Sequence, residues 1–212
     1  MPLLIRHLGQ QAYEPIWKQM QERTLARNEH SQDEIWLLQH PPVYTLGLNG
    51  KRHHLIHDNA IPIIPIDRGG QVTYHGPGQS VAYLLCDIER MGIGANDFVN
   101  RLEQSLIDLI ADYSIKANRI PGAPGVYVDG RKIAALGLRI KRGRTYHGLS
   151  LNIDMDLGPF KDINPCGYPD LEVTQLKDLG VSEGIDTINK QLIKHLQINL
   201  GYNEPMQITN IL

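Results

Sequence analysis

Cys166 stands in Asn164-Pro165-Cys166-Gly167-Tyr168-Pro169, fixed by a proline before it and a glycine after it. A thiol in such a rigid, open loop can present its sulfur and nearby N–H groups to a substrate, as a nucleophile beside an oxyanion site would. The competing reading is an inert loop thiol. Lys132 heads Lys132-Ile-Ala-Ala-Leu-Gly137, an apolar run of small residues behind the turn signal Asp129-Gly130. An amine that loses hydration there gives up its proton more readily, which suits proton transfer. An exposed lysine beside a hairpin turn is the alternative. Arg68 to Gln79 carries four glycines in twelve residues, mixed with polar side chains. Such a stretch lets backbone approach a ligand, although it matches neither the P-loop nor the dinucleotide fingerprint, and a sharp turn between strands would use the same residues.

His75 and His147 each sit in Tyr-His-Gly, as a base or as a hydrogen-bonded histidine of a site wall. His53, His54 and His57 are close in sequence, but no glutamate accompanies them as in a zinc-binding helix. Lys51-Arg52 beside them repels cations, so no metal is expected. Cys86, inside Leu84-Leu-Cys-Asp-Ile88, reads as a buried structural thiol. Arg139, Lys141, Arg142 and Arg144 place four cations within six residues around Gly143.

These residues need elements to hold them. Tyr13, Ile16, Trp17, Met20 and Thr24 recur at helical spacing, with Pro15 suited to a first turn. Ile35 to Leu38 and Val43 to Leu46 read as strands around a Pro41-Pro42 corner. Ile61 to Ile66 contains two prolines and fits only an edge strand or extended loop, whereas Val81 to Ile88 fits a strand. Val99, Leu102, Leu106, Leu109, Ile110 and Tyr113 predict a second helix capped by Asn96 or Asp97. From Val126 the pattern becomes a meander with turns at Asp129-Gly130 and Gly143, and Ile185, Ile188, Leu192 and Leu196 mark a last helix. Hairpins with separated helices predict an α+β domain over residues 1–212.

Composition narrows the class. With 21 Lys plus Arg, 23 Asp plus Glu and a formal net charge of -2, a general nucleic-acid binder is disfavoured. Two cysteines 80 positions apart exclude a disulfide scaffold and a cysteine-rich zinc site. The opening Met1 to Gly9 is too short an apolar run for a signal peptide, and nothing approaches the ~18 apolar residues of a membrane span. A cytoplasmic protein without a membrane partner is expected.

Jointly, Arg68-Gly69-Gly70-Gln71-Val72-Thr73-Tyr74-His75-Gly-Pro-Gly-Gln79, Gly122-Ala-Pro-Gly-Val126 with Lys132-Ile-Ala-Ala135-Leu136-Gly137, His147-Gly148-Leu149-Ser150-Leu-Asn152 and Asn164-Pro-Cys-Gly-Tyr168 resemble the lipoyl(octanoyl) transferase family. The likeness runs in order through most of the chain. Ser150 stands where alanine is common in that family, and both are small. The resemblance implies a biotin/lipoate protein ligase-like fold with a mixed, largely antiparallel sheet flanked by helices. It implies transfer of an octanoyl group from octanoyl-acyl carrier protein, through a cysteine thioester, to a lysine of lipoyl domains. Those domains belong to 2-oxoacid dehydrogenases or to the glycine cleavage H protein. On this resemblance Cys166 takes the acyl-thioester position and Lys132 that of its catalytic partner. Arg68 to His75, Ala135 to Gly137 and Gly148 to Ser150 fall on substrate-binding segments, with an apolar tunnel for the acyl tail along Ala135, Leu136 and Gly137. Thioester exchange needs neither a cofactor nor a metal. Two rivals remain: a ligase of the same fold that spends ATP and gives Cys166 no task, and a non-catalytic acyl-binding module that is never covalently labelled.

Overall fold

The computed structural model describes residues 2–51, 54, 56, 60–164 and 171–210. Along the chain lie β1 (Leu4–Gln10), α1 (Tyr13–Ala26), β2 (Glu34–Gln39), β3 (Val43–Leu46), β4 (Ile63–Pro65), β5 (Val72–His75) and β6 (Gln79–Leu85). They are followed by α2 (Ala95–Ala111), β7 (Asn118–Ile120), β8 (Ala123–Val128), β9 (Arg131–Lys141), β10 (Arg144–Asn152), α3 (Ile185–Leu200) and β11 (Gln207–Thr209). Eight strands form one sheet in the order β11-β1-β2-β6-β10-β9-β8-β7, and β4-β3-β5 form a second. The large sheet is parallel only where β1 meets β2 and β11, and antiparallel elsewhere, which is the mixed α+β architecture expected.

Helices cover both faces of the large sheet. On one, Phe98, Leu102 and Leu106 of α2 and Leu192 and Leu196 of α3 pack on Leu84, Leu149 and Leu151. On the other, Tyr13, Ile16 and Met20 of α1 pack on Trp36, Val81 and Tyr83. Each of these large apolar side chains contributes about 1.5–3 kcal/mol on burial, so the faces fix the helices before any polar contact is counted.

The two long hairpins turn where the sequence places them. Asp129 (φ 49°) with Gly130 (φ 77°), and Arg142 (φ 52°) with Gly143 (φ 71°), supply the paired positive φ angles of a two-residue hairpin turn. Pro65 ends β4, which pairs only with β3, so its missing N–H interrupts no central ladder. Helix α2 corrects the expected cap. Gly94 precedes it without a side-chain cap, while Asn96 and Asp97 lie inside the first turn, where Asp97 pairs with Arg101 (3.0 Å). Ala95 extends the helix past them, and the acidic Asp97 suits the positive end of the helix dipole.

Candidate active site

In the β9–β10 ladder Gly137 faces Gly148 and Ala135 faces Ser150, so two runs of small residues lie side by side and leave a trough in the sheet. The glycine-rich stretch crosses it, with the Gly69 N–H donating to the Leu138 carbonyl (2.9 Å). A side chain at Gly137 would place its Cβ 2.9 Å from Arg68 Cδ and 3.2 Å from the Gly69 carbonyl oxygen, so the close crossing requires glycine there. Arg68 is held in turn: Nη2 donates to the Thr45 carbonyl (2.8 Å) and hydroxyl (2.9 Å), and Nη1 to the Gly69 carbonyl (2.9 Å).

Beneath this roof lies a cavity of ≈50 Å³. It draws on the three segments that the resemblance assigns to substrate binding, through Arg68, Gly70 to Thr73, His75, Ala135 to Gly137 and Gly148 to Ser150. Tyr13, Val81, Tyr83 and His147 complete the wall. Gly69 lies on an adjoining groove instead. The Tyr74 ring packs in a separate cluster, against Tyr44 (5.6 Å between centroids) and Phe160 (5.5 Å). Alternation along β5 separates Tyr74 from its neighbours Thr73 and His75.

Lys132 is buried, with 4% of its surface exposed, and its Nζ lies 5.4 Å from the centre of the Tyr127 ring. Its stem lies over Gly125 (φ 139°), where an added Cβ would meet Lys132 Cε at 2.5 Å. Gly125 pairs with Ala135, a residue of the cavity wall, although Lys132 itself is not among the residues lining the cavity. The Lys132 N–H donates to the Glu172 carbonyl and its own carbonyl accepts from the Thr174 N–H, both at 2.9 Å. Cys166 lies outside the described residues, as do His53 and His57 of the histidine group. Among the described residues no three His, Cys, Asp or Glu side chains are grouped to hold a metal ion. Cys86 is fully buried, and burial pushes its thiol well above the usual range.

Polar contacts that no sequence motif announced order this wall. The His75 Nδ1–H donates to Gln79 Oε1 (2.7 Å), Gln79 Nε2 to Asn152 Oδ1 (2.9 Å), and Asn152 Nδ2 to the Thr174 carbonyl (3.0 Å). Because Thr174 also bonds Lys132, one buried chain of hydrogen bonds runs from the cavity wall to the strand carrying the lysine. Asp67, next to Arg68, accepts from Trp17 (2.8 Å), Gln21 (3.1 Å), the Tyr146 hydroxyl and His147 Nε2 (3.0 Å). Burial alone would raise the Asp67 pKa, but these donors together hold it well below the usual carboxylate range. His147, whose ring Asp67 holds, has φ 59°, a left-handed backbone conformation costing roughly 1–3 kcal/mol in a residue other than glycine.

His40 is held to about 4 by burial, partly opposed by its bond to the Gln11 carbonyl. His75 is held to about 3, by burial and then by the neighbouring His40. Unfolded, both titrate near 6.5. As pH falls from about 6.5 to about 4, the unfolded chain takes up protons that the folded chain refuses, so stability falls across that window and is full only above it. The denaturant midpoint is expected to drop between about pH 7 and pH 4, and His40→Asn to flatten the slope. An unchanged midpoint would show that the folded chain accepts these protons.

Residues 15–197 match the family model for the lipoyl protein ligase A/B catalytic domain. An octanoyltransferase of Thiobacillus denitrificans is 58% identical over 195 residues, covering 92% of this chain and 89% of the relative. In three dimensions the chain is similar to a bipartite lipoate protein ligase from Thermoplasma acidophilum, solved in work on an archaeal lipoylation system. The TM-score is 0.76 at 12% identity, covering 99% of this chain and 88% of that one. A biotin protein ligase from Aquifex aeolicus is more distant, with TM-score 0.56, 11% identity and coverage of 95% and 69%. No helix among the described residues is long and apolar enough to cross a membrane.

Proposed function

The chain belongs to the octanoyltransferases of the lipoyl protein ligase A/B catalytic family, and from that premise we propose that it carries octanoyl from an acyl carrier protein through a Cys166 thioester to a lysine of a lipoyl domain. Residues 1–212 act as one catalytic domain. The convergence of the three segments on one cavity, whose Ala135 to Gly137 wall shares strand β9 with buried Lys132, carries this reading. Cys166 attacks the carrier thioester and the carrier thiol leaves; the acceptor amine then attacks the Cys166 thioester, forming the amide and expelling the Cys166 sulfur, which ends with the proton the amine loses. The exchange conserves the bond type, so no external energy source is needed. Cys166 precedes Glu172 by six residues, and Glu172 is tied to the Lys132 backbone. The direct test is the intact mass of the protein after brief exposure to octanoyl carrier protein. One octanoyl group should appear on the Cys166 peptide and vanish on adding a lipoyl domain. Activity with free octanoate plus ATP, but not with the carrier thioester, would overturn the proposal.

The acyl tail takes the inner cavity, where its methylenes contribute about 0.8 kcal/mol each on leaving water. An apolar cavity of about 150 Å³ takes up benzene, so the inner cavity of ≈50 Å³ must widen to admit an eight-carbon chain. Ala135→Leu adds three carbons to the wall. It should shift kcat/KM from octanoyl toward butanoyl donors by roughly tenfold to several hundredfold. An unchanged ratio across a donor series would place the tail elsewhere.

The basic turn supplies a docking surface. Arg139, Lys141 and Arg142 are exposed, whereas Arg144 is drawn inward by Asp87 (3.6 Å) and the Arg27 carbonyl. Rim charges act chiefly on encounter rate and salt dependence. Exchanging Lys141 and Arg142 together for Glu should raise KM for an acidic carrier donor and weaken its salt dependence. Turnover of a small octanoyl thioester should persist. Parallel loss with both donors would make the turn structural.

A further inference from the structure

The cavity shares Gly70, Gln71, Leu136 and Gly137 with a second space, an open groove of ≈580 Å³. We propose that this groove receives the donor's own arm, an uncharged linear chain carrying amide groups and ending in the thioester, while the acyl tail turns inward. The inference rests on the transfer reading above.

The lining decides the chemistry. Its floor is apolar, with Val99, Ala123, Pro124, Leu136 and Leu138, and its rim carries Asn49, Asn96 and Asn100. Among the described residues no lysine, arginine, aspartate, glutamate or histidine lines it, so no charged side chain is there to pair with a phosphate or a carboxylate. Asn96 and Asn100 stand one helical turn apart on α2 with exposed side chains, and carboxamides both donate to and accept from amides. Gln71 lies between the two spaces. Its Oε1 is buried and meets no donor among the described residues, although a buried acceptor without one is costly. A ligand N–H reaching it after a turn of the side chain would satisfy it, which an acyl tail, lacking any donor, cannot do.

Position agrees with chemistry. Pro124 on the groove wall precedes Gly125, over which the Lys132 stem lies, so the groove comes within one residue of the backbone that carries that stem. Leu138 at the other end precedes Arg139, the first cation of the exposed turn. The seven residues of β9 from Lys132 to Leu138 span roughly 20 Å, a distance between Lys132 and the docking surface that a long arm would cross.

The test compares two donors without carrier protein, the octanoyl thioesters of pantetheine and of mercaptoethanol, by kcat/KM on the full chain. The pantetheine donor should be preferred by tenfold or more. In the double variant Asn96→Ala/Asn100→Ala, whose substitutions favour the helix, that preference should fall about tenfold through KM. Equal use of the donors by the unaltered protein, or an unmoved preference in the variant, would overturn the proposal. A variant that instead changes the ratio of dodecanoyl to octanoyl turnover would assign the groove to the acyl tail. If neither donor reacts and octanoyl carrier protein is inert as well, it is the transferase reading that fails, and the arm falls with it.

Discussion

Replacing Cys166 by alanine is expected to lower octanoyl transfer by about four orders of magnitude or more and to abolish covalent labelling. Without the thiol, the acceptor amine must attack the carrier thioester directly, with both large partners held at one site. A two-step route avoids that geometry, because the carrier leaves before the lipoyl domain arrives. The second cysteine is the internal control. Cys86 is fully buried on β6's continuation, and burial keeps its thiol protonated at neutral pH. Cys86→Ala should therefore retain transfer and cost only about 1 kcal/mol of stability, from a small loss of core volume. Labelling, peptide mapping and turnover of the two variants separate the roles. Full activity in Cys166→Ala, or an octanoyl group on Cys86, would sink the thioester assignment.

What the residues disclose before folding depends on how local the cause is. Both long hairpins were legible because Asp129-Gly130 and Arg142-Gly143 meet a backbone demand within two residues. Strand β1 and its edge neighbour β11 were not, since their parallel pairing joins Leu4 to Gln207 and leaves no turn between them to read. The same division runs through the site. Small residues at Ala135, Gly137 and Gly148 stood out in sequence, and β9 and β10 bring them face to face. Asp67 lies outside every motif, and Gln79 and Asn152, though they close two of them, carry no local sign of their partners. Asp67 matters through His147, 80 positions away, and Gln79 through Asn152, 73 positions away. Asn96 was noticed for the wrong reason, as a cap, when its place is one turn from Asn100 on the groove rim.

Lys132→Met should divide the two half-reactions. The methionine keeps an unbranched stem over Gly125 and Tyr127 but removes the ammonium, so packing changes little. If a neighbouring cation lowered a cysteine pKa from ~8.5 to ~6.5, the thiolate fraction at pH 7 would rise roughly 25-fold. A Brønsted slope near ~0.45 would cut its nucleophilicity about 8-fold, leaving a net gain of only about 3-fold. Acylation of Cys166 should therefore slow by only about that factor in the variant. The second step makes a larger demand. The acceptor lysine has an ordinary pKa of ~10.4, so at pH 7 roughly one amine in 2,500 is neutral, and its proton must be removed before or during attack. A positioned acid–base partner contributes typically about 10²–10⁴-fold to such a step. The octanoyl-enzyme should consequently form nearly normally and then accumulate, with transfer to the lipoyl domain slowed by about 10²–10⁴-fold. Rapid-quench mass measurements of both steps decide it. Acylation lost a hundredfold with normal discharge of preformed octanoyl-enzyme would instead assign Lys132 to the donor side.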